Sequence, residues 1–150
     1  MKALFVIALG AALLSACGTG PKSAAGFRLP DGDAAAGRQA FVDLQCYACH
    51  QVEGVDARFE GTPAAAVKLG GEVSLVKSYG QLVTSIINPS HRIAPGYPRD
   101  VVAPEGESLM EVGKVNDVMT VQQLTDLVAF LQSVYQVVPP QAYPYGYVYP

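Results

Sequence analysis

Residues 46–50 carry the most informative chemistry of this chain, with the sequence Cys-Tyr-Ala-Cys-His. Two cysteines separated by two residues, with a histidine directly after the second, form the attachment signature of c-type haem. The thiols of Cys46 and Cys49 can each add to one vinyl group of the porphyrin, and His50 then lies where a ring nitrogen reaches the iron. The motif therefore predicts one covalently bound haem c, with His50 as its proximal ligand.

Three other uses of this motif explain it less completely. A structural zinc site needs four Cys or His ligands, and the rest of the chain offers only Cys17 and His91. A thioredoxin-like redox pair follows a strand, whereas the residues before Cys46 show a helical pattern. A plain disulfide between Cys46 and Cys49 gives His50 no role. Haem attachment accounts for all three motif residues.

Residues 1–16 predict a lipoprotein signal peptide. Lys2 supplies a positive charge, and an apolar run of about 12 residues follows it, which is too short to span a bilayer comfortably. Residues 14–17, Leu-Ser-Ala-Cys, resemble a bacterial lipobox. We therefore expect cleavage before Cys17 and lipid on its sulfur and amine. An ordinary signal peptide with an incidental cysteine is the alternative.

Export and lipidation together predict a location and a domain plan. We expect a protein held at the bacterial cell envelope and facing the periplasm, a compartment that also suits completion of covalent haem attachment. In lipoproteins of this type, an Asp after the cysteine favours the inner membrane, so Gly18 favours the outer membrane. Residues 17–30 then form a lipidated tether, residues 31–138 the folded domain, and residues 139–150 a tail rich in tyrosine and proline.

Charge restricts the classes of partner. The chain has 10 Lys and Arg against 13 Asp and Glu, and its formal net charge is −3. The basic residues are scattered along the sequence, so no nucleic-acid-binding patch is indicated. Electrostatic steering favours a basic partner or an uncharged docking face.

Three segments with helical periodicity must position the motif. Asp31 and Asp33 are candidate caps for a first helix that runs to about Leu44. Ser78 and Gln81 have the spacing of a capping box for a second helix through Ile87, and Thr120 and Gln123 have the same spacing for a last helix through about Val138. Residues 51–77 and 90–119 are rich in Gly and Pro, and we expect loops there that need a buried haem for order.

From about Asp31 to Val138 the chain resembles a class I cytochrome c. Gly37 and Phe41 precede the haem motif, and residues 126–131, Asp-Leu-Val-Ala-Phe-Leu, are similar to the family's terminal-helix pattern. The resemblance implies an all-α fold of three to five helices around one covalent haem, with the N- and C-terminal helices crossing. It also implies that Gly37, Phe41, Leu127 and Phe130 meet at that crossing.

The resemblance implies further residues around the iron. Pro63 is similar to the family's proline whose carbonyl accepts a hydrogen bond from the proximal histidine, although Thr62 stands where the family usually has Gly. Met110 is the predicted sixth ligand because it leaves the chain room to cross the haem before the last helix. Met119, which directly precedes the Thr120 cap, and His91 are the alternatives; in the family the ligand methionine is often followed by proline, and here Glu111 follows.

The predicted function is one-electron transfer between redox protein partners, with no small-molecule substrate and no enzymatic activity of the chain's own. The protein would be a membrane-tethered carrier or the cytochrome subunit of a larger redox complex. One alternative is a haem enzyme or gas-binding sensor with a labile sixth ligand, and another is a scaffold subunit stapled by haem. Residues 143–150 alternate tyrosine with Pro, Gly or Val, a pattern that suits either a disordered tail or a segment that orders on a partner.

Overall fold

The computed structural model describes residues 27–63 and 65–138, so the signal segment, Cys17 and the tyrosine-rich tail lie outside the described residues. The described part forms five α-helices: α1 (Ala34–Asp43), α2 (Tyr79–Ile87), α3 (Arg99–Val102), α4 (Val112–Asn116) and α5 (Val121–Ser133). It also forms four short strands: β1 (His50–Val52), β2 (Val67–Leu69), β3 (Gly71–Val73) and β4 (Tyr135–Val137). The helices dominate, which confirms the predicted fold class.

The three longest helices begin at the caps that the sequence predicts. The Asp33 side chain accepts a hydrogen bond from the Ala36 N–H at the start of α1. Ser78 and Gln81 form a complete capping box on α2, and Thr120 and Gln123 form another on α5. Each box pairs two backbone N–H groups that have no partner inside the helix, which fixes where the helix begins.

Helices α1 and α5 cross in backbone contact at Gly37. A Cβ added to Gly37 would lie 1.9 Å from the Asp126 backbone oxygen and 2.8 Å from the Phe130 Cβ. The rings of Phe41 and Phe130 pack edge to face beside it, with centroids 5.8 Å apart and planes at 61°. Gly37, Phe41, Leu127 and Phe130 are all buried. The crossing predicted from the resemblance is confirmed.

A buried carboxylate fastens the same crossing. Asp126 is 6% exposed. Its Oδ1 accepts one hydrogen bond of 2.8 Å from the Asp33 backbone N–H and another of 2.9 Å from the Gln122 Nε2. Because Asp33 is the N-cap of α1, this acidic side chain of α5 also lies at the positive end of the α1 dipole.

The hydrophobic core joins α1, α2 and α5. Its fully buried members are contributed by these helices and by one residue of β1: Ala40, Phe41, Val52, Leu82, Val83, Ile86, Leu124, Leu127, Val128, Phe130 and Leu131. Partly buried Cys46 and Tyr47 of the haem motif pack against it. The core therefore supports the motif from one side.

The expectation that the last helix continues to about Val138 is wrong. Helix α5 ends at Ser133, and residues 135–137 form β4, which pairs in parallel with β3 in the register Gly71↔Tyr135. Gly70 and Gly71 have φ of +90° and +84°, and the Gly71 N–H donates to the Val134 carbonyl at 2.9 Å. A Cβ on Gly70 would lie 2.9 Å from that carbonyl oxygen. The two glycines thus let β3 approach the end of α5 closely, and this long-range pairing overrides helical periodicity.

The two segments predicted as loops contain more regular structure than expected. Strand β1 pairs in parallel with β2 in the register His50↔Val67, so a strand pair directly frames the histidine of the motif. The second loop segment contains a 3₁₀ turn at Pro89–His91 and the short helices α3 and α4. Each of these elements is five residues or shorter, which is below the length at which sequence periodicity gives a clear signal.

Candidate functional site

The haem motif follows α1 through a tight change of chain direction at Gln45. This residue has φ of 56°, and it is the only residue other than glycine with positive φ in the described part of the chain. The left-handed backbone at Gln45 ends the helical path of α1 and starts a 3₁₀ turn at Cys46–Ala48. The Cys49 N–H donates to the Cys46 carbonyl across this turn at 3.3 Å. Both cysteines and His50 are therefore held within one short, folded segment.

Cys46 and Cys49 are both free thiols, so the disulfide alternative is not realised in this structure. Burial raises the pKa of Cys46 to about 11, with a smaller opposing effect from its own backbone N–H. The Cys46 sulfur therefore stays protonated at neutral pH and behaves as part of the core rather than as an exposed nucleophile. Within the described residues, no group of three or more His, Cys, Asp and Glu side chains is placed to hold a metal ion.

His50, the predicted proximal ligand, has one ring nitrogen without a hydrogen-bond partner among the described residues. Its Nδ1 is buried and forms no hydrogen bond within the structure. Burial lowers the pKa of His50, and the Val67 backbone opposes this more weakly. Val67 lies beside His50 in the strand pair, but no hydrogen bond of normal geometry joins it to Nδ1. A lowered pKa favours the neutral imidazole, which is the form that coordinates a metal.

A cavity of about 390 Å³ lies against the motif. It is lined by residues of the motif and of the segment that follows: Tyr47, Ala48, Cys49, His50, Gln51, Val52, Val55, Ala57, Arg58, Phe59, Pro63 and Ala66. Its volume falls within the range of about 300–1,000 Å³ that is usual for cofactor sites. Arg58 is the one permanently charged side chain of this lining, so the cavity favours an apolar group that also carries a carboxylate.

The loop that encloses this cavity is tied back to α1. The Arg38 guanidinium donates a hydrogen bond to the Gly54 carbonyl. Gly54 has φ of +78°, and an added Cβ there would meet nothing within 4 Å, so backbone conformation and not space makes glycine suitable. This contact holds residues 52–55 beside the helix that precedes the motif.

Pro63 lies in the lining of the same cavity as His50. No hydrogen bond joins it to His50 within the described residues, so its role as acceptor from Nδ1 stays a prediction. Nδ1 has no other hydrogen-bond partner among the described residues. Metal-bound histidines nearly always donate their second N–H to an oxygen, which fixes the ring orientation.

The three candidates for the sixth ligand occupy different environments. Met110 is half-buried, and its N–H donates to the Ser108 Oγ at 3.2 Å. Met119 is partly buried and packs against the hydrophobic core, as a residue stapled just outside the Thr120 cap would. His91 is exposed at the end of its 3₁₀ turn. None of these three residues lines the cavity beside His50.

Sequence reasoning missed Arg58, Val67 and the backbone of Gln45. Arg58 is one of several scattered basic residues, and only the fold shows that it lines the cavity. Val67 lies beside His50 only because β1 pairs with β2, and the two residues are 17 positions apart in the sequence. Only the turn at Gln45 could have been expected from the sequence, because Gln45 lies between the end of a helical pattern and a motif that requires a change of chain direction.

The residues present fit a covalently bound haem. Two free thiols, a histidine with a buried and unpaired Nδ1, and a cavity with both polar and apolar surface and one cation lie within residues 46–66, and Cys49 and His50 line that cavity. In a haem-loaded protein, Cys46 and Cys49 would form the thioethers, His50 would bind the iron, and Arg58 would suit a porphyrin carboxylate. Cys17, the predicted lipidation site, lies outside the described residues.

Comparison with known proteins agrees with this geometry. The family model described as Cytochrome c matches residues 34–135 of the chain. The match begins at the first residue of α1 and ends at the first residue of β4, so it spans the motif, the cavity and the helix crossing. Comparisons with curated proteins and with solved structures found no match. Among residues 27–63 and 65–138, no helix has the length and apolar character needed to cross a bilayer.

Proposed function

The chain belongs to the cytochrome c family, whose members bind haem c covalently, and from this premise we propose that it is a one-electron carrier anchored at the periplasmic side of the cell envelope. It would serve redox protein partners either as a separate carrier or as the cytochrome subunit of a larger complex. The haem iron, when bound, supplies an Fe(II)/Fe(III) couple that takes up or releases one electron.

One observation carries this proposal: the segment that presents two free thiols also holds His50, whose Nδ1 is buried and unpaired. A redox site needs a cofactor position that does not change between oxidation states. Here two thioethers and one axial nitrogen would come from five consecutive residues, which are fixed by α1 on one side and by the β1–β2 pair on the other. Rigid elements on both sides keep reorganisation small.

The residues around the cavity have separate roles in this function. Val52 is 7% exposed and presents an apolar surface that excludes water beside His50. Low polarity at an iron site favours the state of lower charge and so raises its reduction potential. Arg58 would pair with a porphyrin carboxylate at the rim and orient the ring. Pro63 would accept a hydrogen bond from Nδ1 and so raise the basicity of His50.

Met110 is the proposed sixth ligand. A second strong ligand leaves the iron without an open position, which suits electron transfer and not substrate binding. A thioether ligand also raises the potential relative to a second histidine. Met110 stands ten residues before the capped start of α5, whereas the adjacent Thr120 cap already commits the backbone at Met119.

The test is the far-red absorption of the purified ferric protein together with a potentiometric titration. We expect a weak sulfur-to-iron charge-transfer band and a reversible one-electron titration. Met110→Ala should remove the band and lower the potential, and the matched variant Met119→Ala should keep the band. Loss of the band only in Met119→Ala would transfer the ligand role to that residue. A wild-type protein that folds, binds haem and cannot be cycled between two oxidation states would contradict the carrier function.

A gas-binding haem protein is the second candidate, and two observations favour it. Met110, Met119 and His91 are all absent from the lining of the cavity beside His50. Glu111 also stands where proline often follows the ligand methionine of the family. Carbon monoxide added to the ferrous protein separates the two functions: slow and weak binding at neutral pH supports the carrier, and rapid tight binding supports the sensor.

Anchoring through Cys17 has a separate test. Lipid on an exported cysteine holds a protein on a membrane because each buried methylene contributes about 0.8 kcal/mol. We expect radiolabelled palmitate to be incorporated into the wild-type protein, and the protein to sediment with the outer membrane. Cys17→Ser should remove the label and release a haem-loaded protein. A Cys17→Ser protein that stays with the membrane would contradict the anchor while leaving the carrier function intact.

A further inference from the structure

A second cavity, of about 420 Å³, lies where the segment before α1 meets α2 and α5. It is lined by residues 27–32, by Tyr79 at the first position of α2, and by four residues of α5: Thr125, Val128, Ala129 and Gln132. We call it the Tyr79 cavity. It shares no lining residue with the cavity beside His50, so the haem site does not account for it.

The segment that lines the Tyr79 cavity on its N-terminal side is held on α5. A Cβ added to Gly32 would lie 2.3 Å from the Thr125 backbone oxygen, so the two backbones are in contact there. Leu29 packs against the hydrophobic core. Val128, which is 1% exposed, lines the same cavity. The Tyr79 cavity is therefore bounded by fixed parts of the domain and reaches its core.

Two aromatic rings and a proline contribute to this lining. Phe27 is 61% exposed, Pro30 follows it in the same segment, and Tyr79 is partly buried against the core. The Tyr79 hydroxyl is buried and has no hydrogen-bond partner in the structure. Arg28 and Asp31 bring one charge of each sign. The lining thus favours an uncharged occupant that offers apolar or aromatic side chains and a hydrogen-bond acceptor.

The C-terminal tail, residues 139–150, has the chemistry that this lining favours. It contains four prolines, four tyrosines and no charged side chain. Proline favours the extended polyproline II conformation, in which backbone carbonyls have no internal hydrogen-bond partner. Proline-rich segments of this kind are bound in grooves lined by aromatic rings.

The tail also begins within reach of the Tyr79 cavity. The Val138 N–H donates to the Val73 carbonyl at 3.0 Å, so the last described residue lies beside Val73. Val73 is six positions before Tyr79, and Gln132 is six positions before Val138. Six residues span at most about 22 Å, and the residues of the tail extend over about 37 Å in the polyproline II conformation. The tail is therefore long enough to enter the cavity and cross it.

We propose that the C-terminal tail docks in the Tyr79 cavity of its own domain. Its prolines and tyrosines would pack against Phe27, Pro30 and Tyr79, and a tail carbonyl would accept a hydrogen bond from the Tyr79 hydroxyl. The covalent link keeps the tail at a high effective concentration, so few contacts suffice. The docked tail would hold residues 27–32, which continue the predicted lipid tether, against α5. The proposal concerns a site apart from the haem and is independent of the carrier function.

The experiment is limited digestion by trypsin of the haem-loaded full chain and of a chain that ends at Val138. Trypsin cuts after Lys and Arg, and the tail contains neither. Arg28 is exposed and lines the Tyr79 cavity, whereas Arg92 is exposed and lies outside it, which makes Arg92 an internal control. We expect loss of the tail to speed cleavage after Arg28 at least roughly fivefold and to leave cleavage after Arg92 unchanged. The haem spectrum and the potential should be the same in both chains.

Tyr79→Phe, made in both chains, tests the hydrogen bond. In the full chain it should speed cleavage after Arg28 and lower the unfolding midpoint. In the shortened chain it should leave the cleavage rate unchanged and keep or raise the midpoint, because it removes a buried hydroxyl that has no partner there. The matched control is Tyr97→Phe. The Tyr97 hydroxyl accepts from the Lys68 N–H at 3.2 Å away from the cavity lining, so this change should act equally in both chains.

Three results would overturn the proposal. Cleavage after Arg28 at one rate with and without the tail would leave the Tyr79 cavity to the residues before Phe27 or to a separate ligand. An equal effect of Tyr79→Phe in the two chains would show that the tail supplies no acceptor to this hydroxyl. Protection of Arg28 that falls when the protein is diluted would assign the cavity to the tail of a second copy of the chain.

Discussion

Where α1 crosses α5, backbone lies against backbone, and the buried Asp126 carboxylate has hydrogen-bond partners. Gly37 admits the Asp126 carbonyl, and Asp126 itself accepts hydrogen bonds from both helices. Around the cavity the situation is reversed. The His50 Nδ1 is buried without a partner, and partial burial of the Cys46 thiol raises its pKa to about 11. The protein thus completes one region by its own packing and leaves the other to be completed by haem.

This difference indicates that one region stabilises the fold and the other serves the function. The crossing is a scaffold that folds through side-chain packing and helix caps. The site consists of short strands and turns whose unsatisfied groups match the chemistry of the cofactor, and unsatisfied buried groups are costly when nothing binds them. We therefore expect changes at the crossing to affect the whole domain, and changes at the motif to affect the segment that haem holds.

The largest effect should come from Gly37→Ala, which breaks the crossing. The added Cβ would lie 1.9 Å from the Asp126 backbone oxygen, and a backbone atom cannot move aside as a flexible side chain can. We expect the free energy of unfolding to fall by about 3 kcal/mol or more, measured by denaturant unfolding of the haem-loaded protein.

Gly80→Ala is the matched control for this change. Gly80 lies in α2, and a Cβ there meets nothing within 4 Å. Gly80→Ala should raise the free energy of unfolding by about 0.5–1 kcal/mol, because alanine has the higher helix propensity. Two glycine-to-alanine changes in helices should therefore act in opposite directions. A similar loss in both variants would contradict the close packing at Gly37.

The next effect tests the region that haem completes. Cys46→Ala should leave haem attached through Cys49 alone, which the alkaline pyridine spectrum reports as one remaining vinyl group. Loss of one covalent link should cost roughly 2–4 kcal/mol, by analogy with removal of a native cross-link. Hydrogen exchange should become faster in residues 44–78, while the amides of α1 and α5 should keep most of their protection. A uniform loss of protection would show that the two regions are not separate.

Asp126→Ala should have a smaller effect, at the polar part of the crossing. It removes the acceptor for the Asp33 N–H, and a buried donor left without a partner costs about 1–3 kcal/mol. Asp126→Asn is the control, because its Oδ1 can still accept from Asp33. We expect the asparagine variant to unfold near the wild-type midpoint and the alanine variant well below it. Equal losses would assign the effect to charge and not to the hydrogen bond.

The scaffold was largely predictable from the sequence because its signals are local. Capping boxes at Ser78 and Thr120 and the apolar periodicity of α5 each lie within a few residues, and Gly37 with Phe41 could be placed through the family resemblance. The structure differed from the prediction where long-range contacts determine the secondary structure. Strand β4 depends on two glycines more than sixty residues earlier in the chain, at Gly70 and Gly71. Without that pairing, the residues after Ser133 look like further helix.

The site was predictable in its covalent chemistry and less so in its surroundings. Spacing alone predicted Cys46, Cys49 and His50 as the attachment residues, because attachment to one porphyrin fixes their order. Arg58 reaches the cavity only through the path of the loop, and Val67 lies beside His50 only through the β1–β2 register. The sixth ligand depends on which long loop crosses the haem, and a local pattern does not encode that crossing.

Gln45 lies between the two regions, and it provides the smallest and sharpest test of the comparison. Its φ of 56° costs a residue with a Cβ about 1–2 kcal/mol, and glycine avoids this cost while losing more conformational entropy on folding. We expect Gln45→Gly to raise the free energy of unfolding by about 0.5–1 kcal/mol, with the haem spectrum and the potential unchanged. Gln45→Ala keeps the Cβ, so its free energy of unfolding should equal that of the wild type. A gain in both variants would assign the cost to the glutamine side chain, and a changed potential would show that the strain at this turn helps to position His50 at the iron.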